Sequence, residues 1–248
     1  MPIAAGKTDY NMQKEFLTAE WNNLVMANYV VDPLLLTKYI PANTVLDEYK
    51  GNVYVSLIGF MFEKTRILGM KIPFHVNFEE VNLRFYVKYN DNGIWKRGAV
   101  FIKEIVPKPA ITMVANTLYR EKYCTMPMKH FFEEKNDSFE IGYHWKYKNK
   151  WNKLEATVEK NSQPMIDGSE EQFIAEHYWG YSKYNHKTTF EYAVQHPAWE
   201  LYPVKKYSID CDFTALYGSA FSFLTNVVPQ SLFVAKGSPV SVLHKRNI

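Results

Sequence analysis

From Glu80 to Lys88 polar and apolar residues alternate with a period of two, the pattern of a strand that buries one face. Glu80, Asn82, Arg84, Tyr86 and Lys88 share one side, and Val81, Leu83, Phe85 and Val87 share the other. The apolar side needs only a core. The polar side is an ordinary solvated face in an open sheet, but in a closed one it becomes the wall of an interior site.

The flanking segments repeat the pattern. Thr18 to Tyr29 fits helix or strand, and Asp32-Pro33 then predicts a short helix over PLLLTKYI, with Asp32 capping and Pro33 in the first turn. A hairpin turning at Lys50-Gly51-Asn52 follows. Its second strand is apolar on both sides, with Val53, Val55, Leu57 and Met61 opposite Tyr54, Ile58, Phe60 and Phe62, as in a central strand covered twice. After the turn signal YNDNG, the strand IWKRGAVFIKEIV runs to Pro107. On it Glu104 is an acid on the side of Val100, Ile102 and Val106. Ile111, Val114, Ala115 and Leu118 then recur at helical spacing.

Phe139 to Glu159 reads as a hairpin. Ser169 with Gln172 forms a capping box that predicts a helix from Glu170 towards Trp179, closed by Gly180. TTFEYAVQHPAW and YSIDCDF read as strands, and Phe213, Leu216, Tyr217, Ala220, Phe221 and Leu224 share a helical face. SLFVAKGSPVSVL is the final strand, with Gly237-Ser238-Pro239 as a turn. Short strands with a few helices predict a mainly β (α+β) fold, a single domain over residues 1–248, most economically one closed or nearly closed antiparallel sheet, a β-barrel or cone with peripheral helices.

Composition narrows the function classes. Aromatic residues make up 16% of the chain, which favours pleated packing over helix bundles, and the net charge of +3 is spread along the sequence, unlike a nucleic-acid footprint. Nucleic acid is therefore not expected as a partner. The two cysteines, Cys124 and Cys211, fit no metal-ligand spacing, and the start MPIAAGKTDYNMQKEF lacks the pattern of a secretory signal. With no apolar run long enough to cross a bilayer, a cytoplasmic protein without membrane attachment is the expectation. Nothing calls for a cofactor, and His75, His130, His177 and His196 lack metal-binding spacing.

The strings FHVNFEEVNLRFYV, RGAVFIKEIVPKPAI, YREKYCTMPMKH, EHYWGY, HPAW and AKGSPVSV resemble the YqjF-like family of uncharacterised bacterial proteins. That family is similar to the acetoacetate decarboxylase-like superfamily. The resemblance implies a β-cone or barrel around a small-molecule cavity, and a lyase-like activity on a small carbonyl or carboxylate compound. In the decarboxylase two successive lysines follow a proline, the first forming a Schiff base. Here the matching segment is Pro127-Met128-Lys129-His130, with Met128 at the first position, and a methionine cannot form an imine. Lys129 would serve only with a register shifted by one residue. The decarboxylase glutamate before a strand has Glu80 as its counterpart.

Two functions stay open: an enzyme with Glu80 and Lys129 as catalytic groups, or a non-catalytic binder that has lost the imine-forming lysine. In either, Arg84 would take an anion, with Asn82, Tyr86, Glu104 and His177 completing the ligand site. Each has a plainer alternative. Lys129 reads more simply as a surface lysine, Glu104 as a paired acid and His177 as a hydrogen-bonded structural residue. A homo-oligomer would account for the many aromatics as well as a ligand would.

Overall fold

The structure is a computed structural model and describes residues 14–248. The N-terminal stretch weighed for a targeting signal lies, through residue 13, outside the described residues. In chain order the first strands are β1 (Glu15–Val31), β2 (Val45–Leu46), β3 (Val53–Ile67), β4 (Phe78–Asp91) and β5 (Ile94–Val106). Helix α1 (Pro109–Tyr119) leads to β6 (Tyr123–Thr125), β7 (Met128–Glu134), β8 (Ser138–Tyr147), β9 (Lys150–Glu159) and β10 (Gln163–Pro164). After α2 (Glu170–Ala175) come β11 (Trp179–Lys183), β12 (Thr189–Gln195), β13 (Glu200–Tyr202) and β14 (Val204–Asp210). The chain continues through α3 (Phe213–Tyr217), a 3-10 turn over Ser219–Asn226, β15 (Ser231–Leu243) and β16 (Arg246–Asn247).

The strands form two sheets rather than the one expected. A 12-stranded sheet contains the order β15-β1-β3-β4-β5-β11-β12, and β12 pairs back onto β15 through Val194↔Val242 and Gln195↔Ser241. That pairing returns the curled sheet upon itself. It is antiparallel except where β5 meets β11 and β6. A 4-stranded sheet, β14-β9-β8-β7, packs on its outside.

Two buried clusters mark the layers. Val81, Leu83, Phe85 and Val87 of β4 and Val53, Val55, Leu57 and Met61 of β3 join Ile141, Tyr143, Trp145, Leu154, Ala156 and Val158 of the smaller sheet. Tyr54, Ile58, Phe60, Phe62, Phe78 and Tyr86 instead cluster inside the curl with Phe173 and Ile174 of α2. The two apolar sides of β3 are those expected from its sequence. Gly59 lets the sheets meet, because a Cβ there would lie 2.6 Å from the Tyr143 ring.

Some local expectations change. The segment from Val45 does not hairpin onto β3; its short strand β2 pairs with β4. Ser169 caps α2 as predicted, its Oγ accepting from Gln172 N at 3.2 Å, but the helix stops at Ala175. Gly180 lies within β11, against the Tyr192 ring, where a Cβ would approach to 2.1 Å. Gly237-Ser238-Pro239 is no turn but a kink within β15, with Gly237 at φ +94° beside the Trp21 carbonyl.

Candidate active site within the curled sheet

The polar face of β4 points inward. Glu80, Asn82 and Arg84 line a cavity of about 130 Å³, far more than the roughly 10–15 Å³ that holds one water. Trp21, Phe60, Phe62, Phe78 and Trp199 contribute aromatic wall, and Ile111, Val114, Ala115 and Tyr119 of α1 close one side. The helical stripe predicted after Pro109 is therefore the plug of this cavity.

Three carboxyl groups reach the interior. Glu80 Oε1 accepts from Asn82 Nδ2 at 2.8 Å and Oε2 accepts from the Tyr123 hydroxyl at 2.9 Å. Glu121 Oε1 accepts from the Tyr192 hydroxyl at 2.6 Å. Glu104 pairs with Asn82 across β4 and β5 and with Tyr123 across β5 and β6, and its Oε2 is buried without a partner. Beyond the end of α1 the chain supplies Glu121 and Tyr123. Arg120, in the left-handed region at φ 56°, terminates the helix, and the Asn116 amide clasps Tyr123 from both sides, donating to its carbonyl at 2.9 Å and accepting from its amide at 2.8 Å. This clasp holds Tyr123 over Glu80.

Burial dominates the electrostatics, since taking a charge out of water disfavours the ionised acid. It pushes Glu80 up to about 7, against the hydrogen bonds from Asn82 and Tyr123 and the through-space pull of Arg84. Glu121 is raised to about 8 by burial, although the Tyr192 hydrogen bond opposes it. Glu104 is raised well above the ordinary range by burial and then by Glu121 and Glu80. The cavity thus holds acids that retain protons near neutrality.

Arg84 is the contrasting group. Its Nε donates to the Tyr86 hydroxyl at 3.3 Å and its Nη2 to the Ile174 carbonyl at 3.5 Å, and among the described residues no carboxylate pairs with it. Glu80 and Arg84 do not touch, as their spacing along a strand foretold. His177 lines the same cavity, its ring 4.4 Å from that of Tyr86. Burial lowers its pKa to about 4, so the ring is neutral. Its Nε2 lies 3.1 Å from Asp47 Oδ2. Asp47 is buried, yet hydrogen bonds from His177 and Arg97 hold its carboxyl well below the usual range. Arg97 Nη2, which can only donate, lies 3.4 Å from the same Nε2, and His177 Nδ1 is buried without a partner.

The structure brings Glu80, Asn82, Arg84, Glu104 and His177 to one cavity. Tyr86 stands behind it, donating to Ser56 Oγ at 2.7 Å and supporting Arg84 and His177. Lys129 is elsewhere: it is exposed on β7 of the smaller sheet, its ammonium 5.0 Å over the Trp151 ring, and no lysine is among the described residues lining the cavity. Neighbouring Met128 packs against the core between the sheets. The proline-lysine segment therefore belongs to the outer sheet in this chain. Glu104 faces inward with Ala99 and Phe101, not with Val100 and Ile102, because the β4–β5 register slips between Leu83 and Arg84. Glu121, Tyr123 and Tyr192 also line the cavity and were not singled out from sequence. Tyr192 alternates with Phe190 and Val194 in TTFEYAVQ, a period-two signal that could have found it.

No helix among the described residues is long and apolar enough to cross a membrane. In three dimensions the chain is similar to acetoacetate decarboxylase from Legionella pneumophila, with TM-score 0.61 and 12% identity, covering 100% of this chain and 92% of the other. It is also similar to the enduracididine biosynthesis enzyme MppR complexed with pyruvate, with TM-score 0.64 and 10% identity over 96% and 93% of the two chains. An acetoacetate decarboxylase-like enzyme from Sphingomonas wittichii RW1 matches with TM-score 0.62 and 11% identity over 98% and 99%. At such identities the likeness fixes the fold. In sequence, the uncharacterized protein YqjF of Bacillus subtilis is 30% identical over 181 residues, 71% of this chain and 72% of that one. Residues 18–239 match the DUF2071 family of uncharacterized conserved proteins, and the chain belongs to that family, on an acetoacetate decarboxylase-like fold.

Proposed function

We propose that this protein binds a small organic acid inside the curled sheet, with Arg84 pairing the ligand carboxylate. The observation that carries this reading is the Arg84 guanidinium, which lines the cavity with no carboxylate partner among the described residues. An arginine fork matches a carboxylate with two parallel hydrogen bonds, and the aromatic wall suits a short carbon skeleton. The pyruvate held by MppR, a protein of the same fold, is a compound of this class. Imine chemistry is not part of the proposal, because Lys129 lies on the outer sheet and Met128 carries no amine.

A second reading, acid–base catalysis on the bound compound, is favoured by one observation. Glu80 is raised to about 7, where a carboxyl group both gives and takes a proton at neutral pH. Calorimetric titration with pyruvate tests the first reading: wild type is expected to bind, and Arg84→Met to weaken binding at least tenfold while remaining folded. Equal affinity in the two proteins would remove Arg84 from the site. Turnover of a small keto acid that disappears in Glu80→Gln would establish the second.

A further inference from the structure

Away from Arg84 the cavity gathers Glu80, Glu104 and Glu121, and among the described residues lining it no lysine stands with them. Asn82 is 1% exposed, and because its Nδ2 donates to Glu80, its Oδ1 is fixed as an acceptor; this oxygen has no partner. Glu104, opposite Asn82 across the sheet, is 2% exposed and its Oε2 has no partner. Each buried acceptor left without a donor is costly, and native proteins rarely leave several in one place. Glu80, Glu104 and Glu121 stand around them, and the two hydroxyls of Tyr123 and Tyr192 are already given to Glu80 and Glu121. Lys122 acts on Glu104 and Glu121 through space, but its ammonium lies over the Tyr39 ring, 5.3 Å from the centroid. What this end lacks is a cation: the carboxyl groups there keep their protons for want of one, and a bound positive charge would let them ionise.

We infer that the ligand carries an amine as well as a carboxylate: an ω-amino acid whose ammonium is held by Asn82, Glu104 and their acidic neighbours while its carboxylate meets Arg84. The inference rests on the proposed role of Arg84 and adds the second half of the ligand. A bare metal ion fits less well, since no group of three or more suitable side chains among the described residues is arranged to hold one. The aromatic rings of Trp21 and Phe78 in the wall suit an ammonium through their negative faces. Spacing selects the ω position. Asn82 and Arg84 are two residues apart on one face, about 7 Å along the strand, so a chain of several carbons spans them and an α-amino acid does not.

Titration calorimetry with pentanoate, 5-aminopentanoate and alanine separates the claims. 5-Aminopentanoate is expected to bind wild type at least tenfold more tightly than pentanoate, and alanine more weakly than either. Glu104→Gln should erase most of that gain, so that the variant binds 5-aminopentanoate and pentanoate within threefold of each other; if that variant does not fold, Asn82→Leu, which removes the acceptor Oδ1, takes its place. Pentanoate binding with no gain from the amine, or a gain that survives both substitutions, overturns the inference and leaves the Arg84 reading standing. Failure of pentanoate and 5-aminopentanoate alike overturns both.

Discussion

On β4, Val81, Leu83, Phe85 and Val87 face the four-stranded sheet, while Glu80, Asn82 and Arg84 face the cavity, and both sets are largely shielded from water. The apolar set carries no hydrogen-bonding side chains and interlocks with a second layer, where Trp145 Nε1 is buried without a partner. The polar set is held by hydrogen bonds of 2.8 to 3.5 Å, yet Asn82 Oδ1 stays unpartnered and burial raises the Glu80 carboxyl to about 7. Burial on one face therefore stabilises the fold, and burial on the other is a standing cost that suits a binding site.

The largest expected effect falls on the packed face. Leu83→Ala removes a fully buried side chain between the sheets, and equilibrium unfolding in urea should show a loss of about 2–5 kcal/mol. A loss below about 1 kcal/mol would mean that the two faces are not so different.

Next comes Glu104→Gln, where the sign depends on pH. Burial raises the folded-state pKa of Glu104 well above its unfolded value near 4.5, so the folded protein keeps a proton that the unfolded chain has released. The associated stability is fully present below about pH 4.5 and is lost as pH rises through the folded value. Glutamine does not titrate. The variant should match wild type within about 0.5 kcal/mol at pH 4.5 and exceed it by at least about 1.4 kcal/mol at pH 8.5, the cost of a single pH unit over which only the folded protein holds the proton. Urea unfolding at the two pH values checks this, and a variant less stable than wild type at pH 8.5 would show that the site gains stability from an ionised Glu104.

The smallest effect belongs to Lys129. An exposed lysine over Trp151 should be replaceable by alanine at a cost within about 0.5 kcal/mol, and borohydride treatment with acetoacetate should leave the protein mass unchanged. A trapped adduct mapped to Lys129 would move that residue from the outer sheet to the chemistry.

The inward trio Glu80, Asn82 and Arg84 was legible because period-two alternation runs unbroken through them. So were the two sides of β3, the plug helix after Pro109 and the cap at Ser169. Glu104 was legible as an acid among apolar residues, but one slipped residue in the ladder exchanged its neighbours, and such a slip leaves no mark in composition. Lys129 lies on the surface, as its plainer reading had it, and the sheet it belongs to was not legible. β7 reads Met128-Lys129-His130-Phe131-Phe132-Glu133-Glu134, with no period-two alternation to say which side is buried or which of two sheets it joins. Asp47 and Glu121 were passed over because their partners, His177 and Tyr192, lie 130 and 71 residues away.

The pairing of β15 with β1 sets the order in which the protein can mature. Glu15 meets Leu243 and Asn28 meets Ser231, so the first described strand waits for one made more than two hundred residues later. Until then β1 presents an open edge on one side, a template for pairing with other chains. Contacts so distant along the chain are slow to form, and the interval is when such an edge is most exposed to aggregation. During synthesis the outer sheet and its hairpin are complete first, while the cavity has no sealed wall until β15 arrives and β12 docks upon it.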